Sequence, residues 1–541
     1  MKVFTRTIAR AACALLVYSL SATAAFAGVL KKPYLVYEGT NTSMTVLWQD
    51  TGVETTNTLS WGADTSYGMG TVTVPEYGTS NQHKYQIAGL QPSTRYQYKV
   101  ADAASGAVYG TGSFVTAPAD DASAVKFLGF GDTRSQPLVM EAVIQEMRKV
   151  YAADPSYQSL NVQAGDWVSS DAESSWTAQW FNANPQTALL LSEQPINGVK
   201  GNHENASGYS KYFPKYYPFP YVNLTPKAGD ATTFNNLYWS FDYGPVHFTV
   251  VDQYSPYGPG SAQYQWLVND LASTSKPWKV LVYHEPAWGA GTHGNNTTTQ
   301  AVIDPLVKQF GIDLVYAGHN HNYARCQVKD AAEAAGDTIV PRVPYITNGG
   351  GGAPLYAVDL RNTGSYRHVV VAKSDYEYMT FEVNDATFRM KAFSVTKQDG
   401  SPLSPGTRNV DTKSTLIETV TLYHQPSLTA KADKTVLWSP DHQLVPIFIE
   451  TSAHDGSGVQ PSISAVVTSN EPVNGLGDGD TDPDWTTPVV DAQGNISLSL
   501  RAERSAIGNG RTYTIQVTAT GAGGDTTTVP VNVLVPHDSG M

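Results

Sequence analysis

Cysteine is nearly absent: the 541 residues hold two, Cys13 and Cys326. Cys13 falls within residues 1–27, which read as a cleavable export signal. Lys2, Arg6 and Arg10 give the basic start, Ala11–Leu20 the apolar centre, and Ala25-Phe26-Ala27 the cleavage site. A mature chain with Cys326 alone forms no internal disulfide, and that residue is expected to pack as a small buried side chain. Charge is also sparse, at 15% of residues, and acidic in balance, with a formal net of −13. Loss of the signal would make it more negative still. That argues against non-specific binding to nucleic acid or an anionic membrane. Beyond the signal no apolar run is long enough to span a bilayer, and the run within it is too short. The expected location is secreted or periplasmic. A phosphate-cradling P-loop and a Ser nucleophile elbow are missing too, which argues against an NTPase and an α/β-hydrolase.

What is present is β-rich at both ends and mixed in the middle. A chain of this length holds roughly two to four domains. Residues 28–117 alternate short β-type runs with turns; Ser43–Trp48 and Lys84–Ile87 are two of them. After the turn at Pro92, Tyr96, Tyr98 and Val100 share one face of a strand. This resembles a fibronectin type III-like sandwich. Thr116–Ser123 reads as a linker. Over 124–424 strands alternate with helices: strands at Val125–Gly131, Leu160–Gly165, Ile196–Gly201, Trp278–Tyr283 and Asp313–Ala317, helices at Leu138–Tyr151, Trp176–Leu191, Ala262–Leu271 and Thr297–Phe310. Leu237–Gln253 reads as two strands around a turn, and strands from Val343 to about Tyr423 close the unit. The pattern predicts an α/β domain with its active groups at the strand ends. Residues 426–541 return to β and read as an immunoglobulin-like sandwich.

Five runs of the α/β region end in metal-type ligands. Gly131-Asp132 and Gly165-Asp166 each offer a carboxylate. Gly201-Asn202-His203-Glu204 offers an amide oxygen and an imidazole, Tyr283-His284 an imidazole, and Gly318-His319-Asn320-His321 two more. On an extended tip His319 and His321 share a face. Oxygen and nitrogen donors without a thiolate suit Fe, Mn, Zn or Co. Six donors are too many for one tetrahedral ion and suggest two ions sharing a bridging carboxylate.

In this order and spacing the motifs resemble the calcineurin-like metallophosphoesterase superfamily. With the N-terminal sandwich, residues 30–423 are most similar to purple acid phosphatases. The resemblance implies an α/β fold built as a metallophosphoesterase β-sandwich with flanking helices. It implies that Asp166 bridges two metal ions, that Asp132 and His321 complete the first site, and that Asn202, His284 and His319 bind the second. His203 is implied as a phosphate contact or proton donor, with Glu204 supporting it, and His293 as a further substrate-facing histidine. The implied reaction is attack of a metal-activated hydroxide on a small phosphate monoester. A phosphodiesterase or nucleotidase on the same metals is the alternative. A cell-surface binding protein with an inactive enzyme domain is the reading from another class, and the intact ligand set argues against it.

The sequence departs from the family in two places. Ser169 stands where purple acid phosphatases have the Tyr that gives the ferric colour, and Arg134 where other members have a His ligand. The first metal is left with Asp132, Asp166 and His321, so a colourless protein with weaker retention of that metal is expected. Arg134 can instead take two phosphate oxygens in fork geometry. Arg325 reads as structural. Tyr254, Tyr257 and Trp288 are candidates for a cleft wall or for packing. The loop Asp478–Asp484 alternates carboxylates as calcium loops do, yet has Pro483 where Gly is required and no closing Glu. A solvated acidic turn is expected there, with calcium in the C-terminal domain as the alternative. That domain could also contact a surface or polymer.

Overall fold

The computed structural model describes residues 28–541, except 53–55, 79, 183, 330–331, 361–367, 407–409, 456–458, 474–480 and 539–541. The expected export signal, with Cys13, lies outside the described residues, as do Asp478 and Asp480 of the acidic loop. Among the described residues no helix is long and apolar enough to cross a membrane.

The N-terminal region is a sandwich of two antiparallel sheets. Val29–Val36, Ser43–Asp50 and Gln82–Ala88 form one; Gly70–Val74, Asn57–Gly62, Arg95–Asp102 and Val108–Val115 form the other, in that spatial order. Tyr96, Tyr98 and Val100 point inward and are buried, as their alternation predicts. Tyr98 reaches past its own core: its hydroxyl donates to the Ser192 carbonyl at 3.1 Å. Tyr34 donates likewise to the Tyr216 carbonyl at 3.0 Å. Tyr34, Val36, Tyr37 and Leu47 belong to the same apolar cluster as Phe127, Phe130 and Trp167 of the central region.

The central region packs two mixed sheets against each other. One runs Ile196–Gly198, Asn161–Gln163, Ala124–Phe130, Glu377–Asn384, Thr387–Lys397, Thr412–Tyr423. The other runs Trp239–Tyr243, Val246–Val250, Trp278–Val282, Leu314–Ala317, Tyr345–Asn348, Tyr323–Cys326, Val369–Lys373. The first three strands of one sheet are parallel to each other, as are the second to fifth of the other. Such strands are covered on both faces, which is why Leu314–Ala317 reads as a continuous apolar run; Asn161–Gln163 and Ile196–Gly198 are buried as well, but carry Asn161, Gln163 and Asn197. Phe127 packs edge-on to Phe248 across the interface, with ring centroids 5.4 Å apart. Helix Pro137–Ala153 starts on a Pro, whose missing N–H costs nothing at that position. It buries Val139, Met140, Val143, Ile144 and Met147 on one stripe. On the other flank, Thr297–Phe310 starts with the Asn296 side chain accepting from Thr299 N–H and stops at Gly311 in left-handed backbone.

Three sequence expectations are settled differently here. Residues 176–191 are not one helix: a π-helical turn, Trp176–Trp180, is followed by a break and a new helix, Pro185–Glu193. Pro185 pushes Asn184 into extended backbone and then serves as the first residue of the next helix. The strand expected over 196–201 ends at Gly198. Trp288 and Tyr257 are not cleft walls either; they pack among Val302, Ile303 and Leu306. Cys326 is buried, as expected.

The hairpin Trp239–Tyr243/Val246–Val250 carries a buried His247 between two carboxylates. Its Nδ1 lies 2.7 Å from Asp242 and its Nε2 3.0 Å from Asp270. Burial opposes its charge, but both aspartates outweigh that and raise it to about 9. A raised imidazole stabilises the fold fully below its ordinary value near 6.5, and the contribution fades as pH rises through about 9. Asp242 is partly exposed, so solvent screening trims the effect to about 2 kcal/mol. His247→Gln is therefore expected to cost about 2 kcal/mol at pH 6 and little of that at pH 10, measured by urea melts of both proteins.

The C-terminal region is a third β structure with its own core. One sheet holds Ser427–Ala432, Leu444–His454, Ile496–Arg501 and Val489–Val490; the other Ser462–Ser469, Gly510–Thr520 and Thr526–Pro536. Ile449, Ile496, Leu500, Ile515, Val517 and Val533 fill the space between them. Asp484, the last carboxylate of the acidic loop, is buried and takes a 2.7 Å ion pair from buried Arg511, so it is engaged inside the sandwich. Among the described residues this sandwich holds no group of metal-type ligands.

Candidate metal centre

The ligand-bearing runs converge at the carboxyl ends of the parallel strands. Asp132 follows Ala124–Phe130, Asp166 follows Asn161–Gln163, and Asn202 follows Ile196–Gly198. His284 follows Trp278–Val282, and His319 and His321 follow Leu314–Ala317. Asp132, Asp166 and His319 all have left-handed backbone, with φ of 52°, 54° and 67°. Strain of that kind in non-glycine residues persists where the surroundings over-determine it. The glycines before the ligands give room: a Cβ on Gly201 would collide with the Asp166 carboxylate, and one on Gly318 with that of Asp132.

Two donor groups result, and Asp166 belongs to both. Asp166, His284 and His319 form one; Asp132, Asp166 and His321 form the other, with donor atoms in each within 4.8 Å of one another. Asn202 joins the first group, its Oδ1 lying 3.1 Å from His284 Nε2 and 3.1 Å from His319 Nδ1. Carbonyls set the tautomers. His284 Nδ1 donates to Ala164 O at 2.8 Å and His321 Nδ1 to Pro354 O at 2.6 Å, so Nε2 of each faces the site. Asp132, Asp166, His284 and His321 are buried.

The electrostatics suit cations. Burial, aided by His284 and His293, pushes His319 down to about 2; burial and Arg134 push His321 down to about 3. Both rings thus offer lone pairs. Burial also opposes charge on His284, yet Asp166 and Asp132 raise it to about 10, so the point its Nε2 faces attracts positive charge. Burial drives Asp132 well above the usual carboxylate range, and its Oδ1 has no hydrogen-bond partner. A buried carboxylate oxygen without a donor, 3.6 Å from the Nε2 of the neutral His321 ring, fits a bound divalent cation.

The remaining expected residues border this centre. His203 N–H donates to Asp166 Oδ1 at 3.1 Å, and its Nδ1 donates to Ser169 O at 2.8 Å. Its Nε2 lies 3.8 Å from Asp166 Oδ2. Glu204 does not support the His203 ring, contrary to expectation. It accepts from Val168 N–H at 2.9 Å and Gly201 N–H at 2.8 Å, and so braces the two ligand loops. Arg134 turns inward, with Nε 3.2 Å from Asp166 Oδ2 and Nη2 3.2 Å from His321 Nε2. His293 is exposed on the rim, its ring 4.3 Å from that of His319. It lines a cavity of about 360 Å³ with Glu285, Asn295, Asn296 and His319. Arg325 is structural, forked onto Glu418 at 3.0 and 2.8 Å.

Three contributors had not been singled out from sequence. Tyr356 stacks on His321 with centroids 4.0 Å apart. Gln253 Oε1 accepts the backbone N–H groups of His284 and Glu285. Gln179 Oε1 accepts from Ser135 and Ser169 N–H, tying two ligand loops together. The available signal was the glycine run Gly349–Gly352 just before Tyr356. A Cβ at Gly349 would strike Asn320 O, and one at Gly351 would strike Gly131 O.

Strand-end donors around a shared carboxylate, on two packed mixed sheets, form a candidate centre for two metal ions. The family model for calcineurin-like phosphoesterase matches residues 125–323, and that for the purple acid phosphatase N-terminal domain matches residues 30–116. The chain thus carries a calcineurin-like phosphoesterase domain preceded by a purple acid phosphatase N-terminal domain. Purple acid phosphatase 23 of Arabidopsis thaliana is 27% identical over 296 residues, covering 50% of this chain and 62% of that protein. Purple acid phosphatase 15 of the same plant is 28% identical over 269 residues, covering 45% and 49%. The chain therefore spans about half to three-fifths of the length of these curated relatives. Among solved structures, purple acid phosphatase PPD1 from yellow lupin (Lupinus luteus) seeds has a TM-score of 0.53 at 17% identity, covering 71% of this chain and 73% of its own. PhoD has a TM-score of 0.55 at 12% identity, covering 72% and 89%. These two share the fold. The family implies a binuclear metal centre.

Proposed function

We propose that this chain is an exported, binuclear-metal phosphoesterase that hydrolyses small phosphate monoesters. The observation that carries the reading is the pair of buried donor groups sharing Asp166. Asp132, Asp166 and His321 would hold one ion; Asp166, Asn202, His284 and His319 the other. When bound, two such cations offset phosphoryl charge and lower the pKa of a water toward neutrality.

The chain's own groups do the rest. Ala164 O and Pro354 O hold His284 and His321 in the tautomer that presents Nε2, so no proton need leave that atom of His321 before it ligates. His203 commits its Nδ1 proton to Ser169 O and presents Nε2 beside Asp166. A proton held on that Nε2 can pass to the departing alkoxide oxygen. Arg134 and His293 flank the centre on separate loops and supply donors for phosphate oxygens. The water-accessible cavity beside His293 and Asn296 leaves room for a small leaving group.

Hydrolysis of p-nitrophenyl phosphate by the mature chain tests this, before and after chelation and after readdition of Fe, Mn or Zn singly. Chelation is expected to remove at least about 99% of the activity, and one of the metals to restore it. Cleavage of bis-p-nitrophenyl phosphate but not of the monoester would move the reading to a diesterase. Inactivity on both with every metal would overturn it.

A further inference from the structure

We propose that Arg134 is a built-in competitor for the first metal position, so that the two positions of this centre load unequally. The inference rests on the metallophosphoesterase reading above and adds to it the order of occupation.

The argument turns on one lone pair. His321 Nδ1 is spent on the Pro354 carbonyl, which can only accept, so that nitrogen carries the proton. Nε2 then holds the single in-plane lone pair of the ring. Arg134 Nη2 lies 3.2 Å from it and is an obligate donor. A lone pair that accepts a guanidinium N–H cannot also ligate a cation. The ring cannot swing to serve both, because Tyr356 stacks on its face with centroids 4.0 Å apart. The same guanidinium reaches Asp166 Oδ2 through Nε at 3.2 Å. A carboxylate oxygen has lone pairs to share, so at Asp166 the arginine weakens ligation rather than blocking it.

The arm is seated rather than passing through. Arg134 N–H donates to Asp166 O at 3.3 Å, which fixes its base, and Nη1 donates to Ser135 Oγ at 3.2 Å. Ser135 Oγ in turn lies 3.0 Å from Ser169 Oγ. The short Ser169 side chain leaves that wall of the centre open to the arm. Among the described residues, by contrast, no arginine or lysine hydrogen-bonds to the side chains of Asn202, His284 or His319, which meet one another and the Ala164 carbonyl. The second position shares Asp166 but meets it through Oδ1, 3.2 Å from His284 Nε2 and on the other oxygen from the one Arg134 holds; the first position gains its ion only as the guanidinium lets go.

Metal binding to the full mature chain, stripped by chelation, reads this directly. Zinc or manganese is titrated by calorimetry or equilibrium dialysis into wild type, Arg134→Ala and Arg134→Met, the last keeping the bulk of the arm. Wild type is expected to take one equivalent tightly and a second at least about tenfold more weakly. Both variants are expected to tighten the second by about 10- to 100-fold and leave the first unchanged. His321→Ala should abolish the second equivalent selectively. A second equivalent no tighter in either Arg134 variant, with the first bound normally, would overturn the competition alone. If no equivalent binds, or if the first is insensitive to Asn202→Ala, the metal-centre reading fails and this inference with it.

Discussion

Asp166→Asn is expected to lower kcat for phosphate-ester hydrolysis by about a thousandfold or more and to disturb both metal positions at once. Asp166 is the one side chain in both donor groups. It also accepts from His203 N–H and from Arg134. Although buried, it is held below the usual carboxylate range, because the charge and hydrogen bond of His284, with His203 and Arg134, outweigh desolvation. The amide keeps the shape and removes the charge, so the loss reads as chemistry rather than unfolding. Asp132→Asn is the control: it touches one donor group, so the ion held by Asn202, His284 and His319 should remain. Metal content per chain, alongside turnover, separates the two. Retention of activity within tenfold in Asp166→Asn would rule out a bridging role.

Lys200→Met is expected to destabilise the central region by about 3 kcal/mol, though Lys200 touches no ligand. Its ammonium is fully buried, 3.2 Å from the equally buried Asp252. The distance would allow a hydrogen bond, but the ammonium makes none among the described residues, so its angle to the carboxylate is poor. It acts as a buried counter-charge rather than as a donor. Removing one member of a buried pair leaves the other uncompensated, at a cost of about 3–5 kcal/mol. The low end applies because Asp252 keeps donors from Leu237 N–H, Tyr254 N–H and Ser255 Oγ. The pair matters to the centre as well. Lys200 precedes Gly201-Asn202, and Asp252 precedes the Gln253 that holds the His284 backbone. Urea melts should show the loss, and Lys200→Met combined with Asp252→Asn should recover more than half of it. A loss below about 1 kcal/mol would mean the three remaining donors suffice.

The donors of the centre were legible because each sits where an apolar run stops. Phe130, Val282 and Ala317 end buried strands, and the polar residue just beyond is exposed to chemistry rather than to packing. Order along the chain then distinguished six donors from scattered histidines. The groups that aim those donors were not legible. Ala164, Ser169 and Pro354 act through carbonyls, which every residue has, so nothing in their identity signals the role. Gln179 and Gln253 look like any polar residues until folding brings their amides to loop backbones. Arg134 was visible as a departure, but its contact with His321 depends on a side-chain path that sequence does not encode locally. The end of the π-helical turn at Trp180 and the new start at Pro185 are hard to read because apolar residues recur on both sides, and Pro185 has to be weighed against that spacing. At the C-terminus, Ser427–Ala432 and Thr526–Pro536 escaped as strands. Their exposed positions are Ser427, Thr429 and Lys431 in one and Thr526, Thr528, Pro530 and Asn532 in the other, and Pro530 alone would argue against an interior strand.

The two β modules flank the same domain but belong to it differently. Tyr34, Val36, Tyr37 and Leu47 of the N-terminal sandwich lie in the central apolar cluster, and Tyr34 and Tyr98 close hydrogen bonds on central carbonyls. Cutting at residues 118–123 would strip a greasy face from each half, so the two are expected to fold as one unit. The C-terminal sandwich fills its own interior and meets its neighbour through charged contacts such as Arg342 with Asp525 at 3.1 Å. Its removal would take no residue from the central apolar cluster.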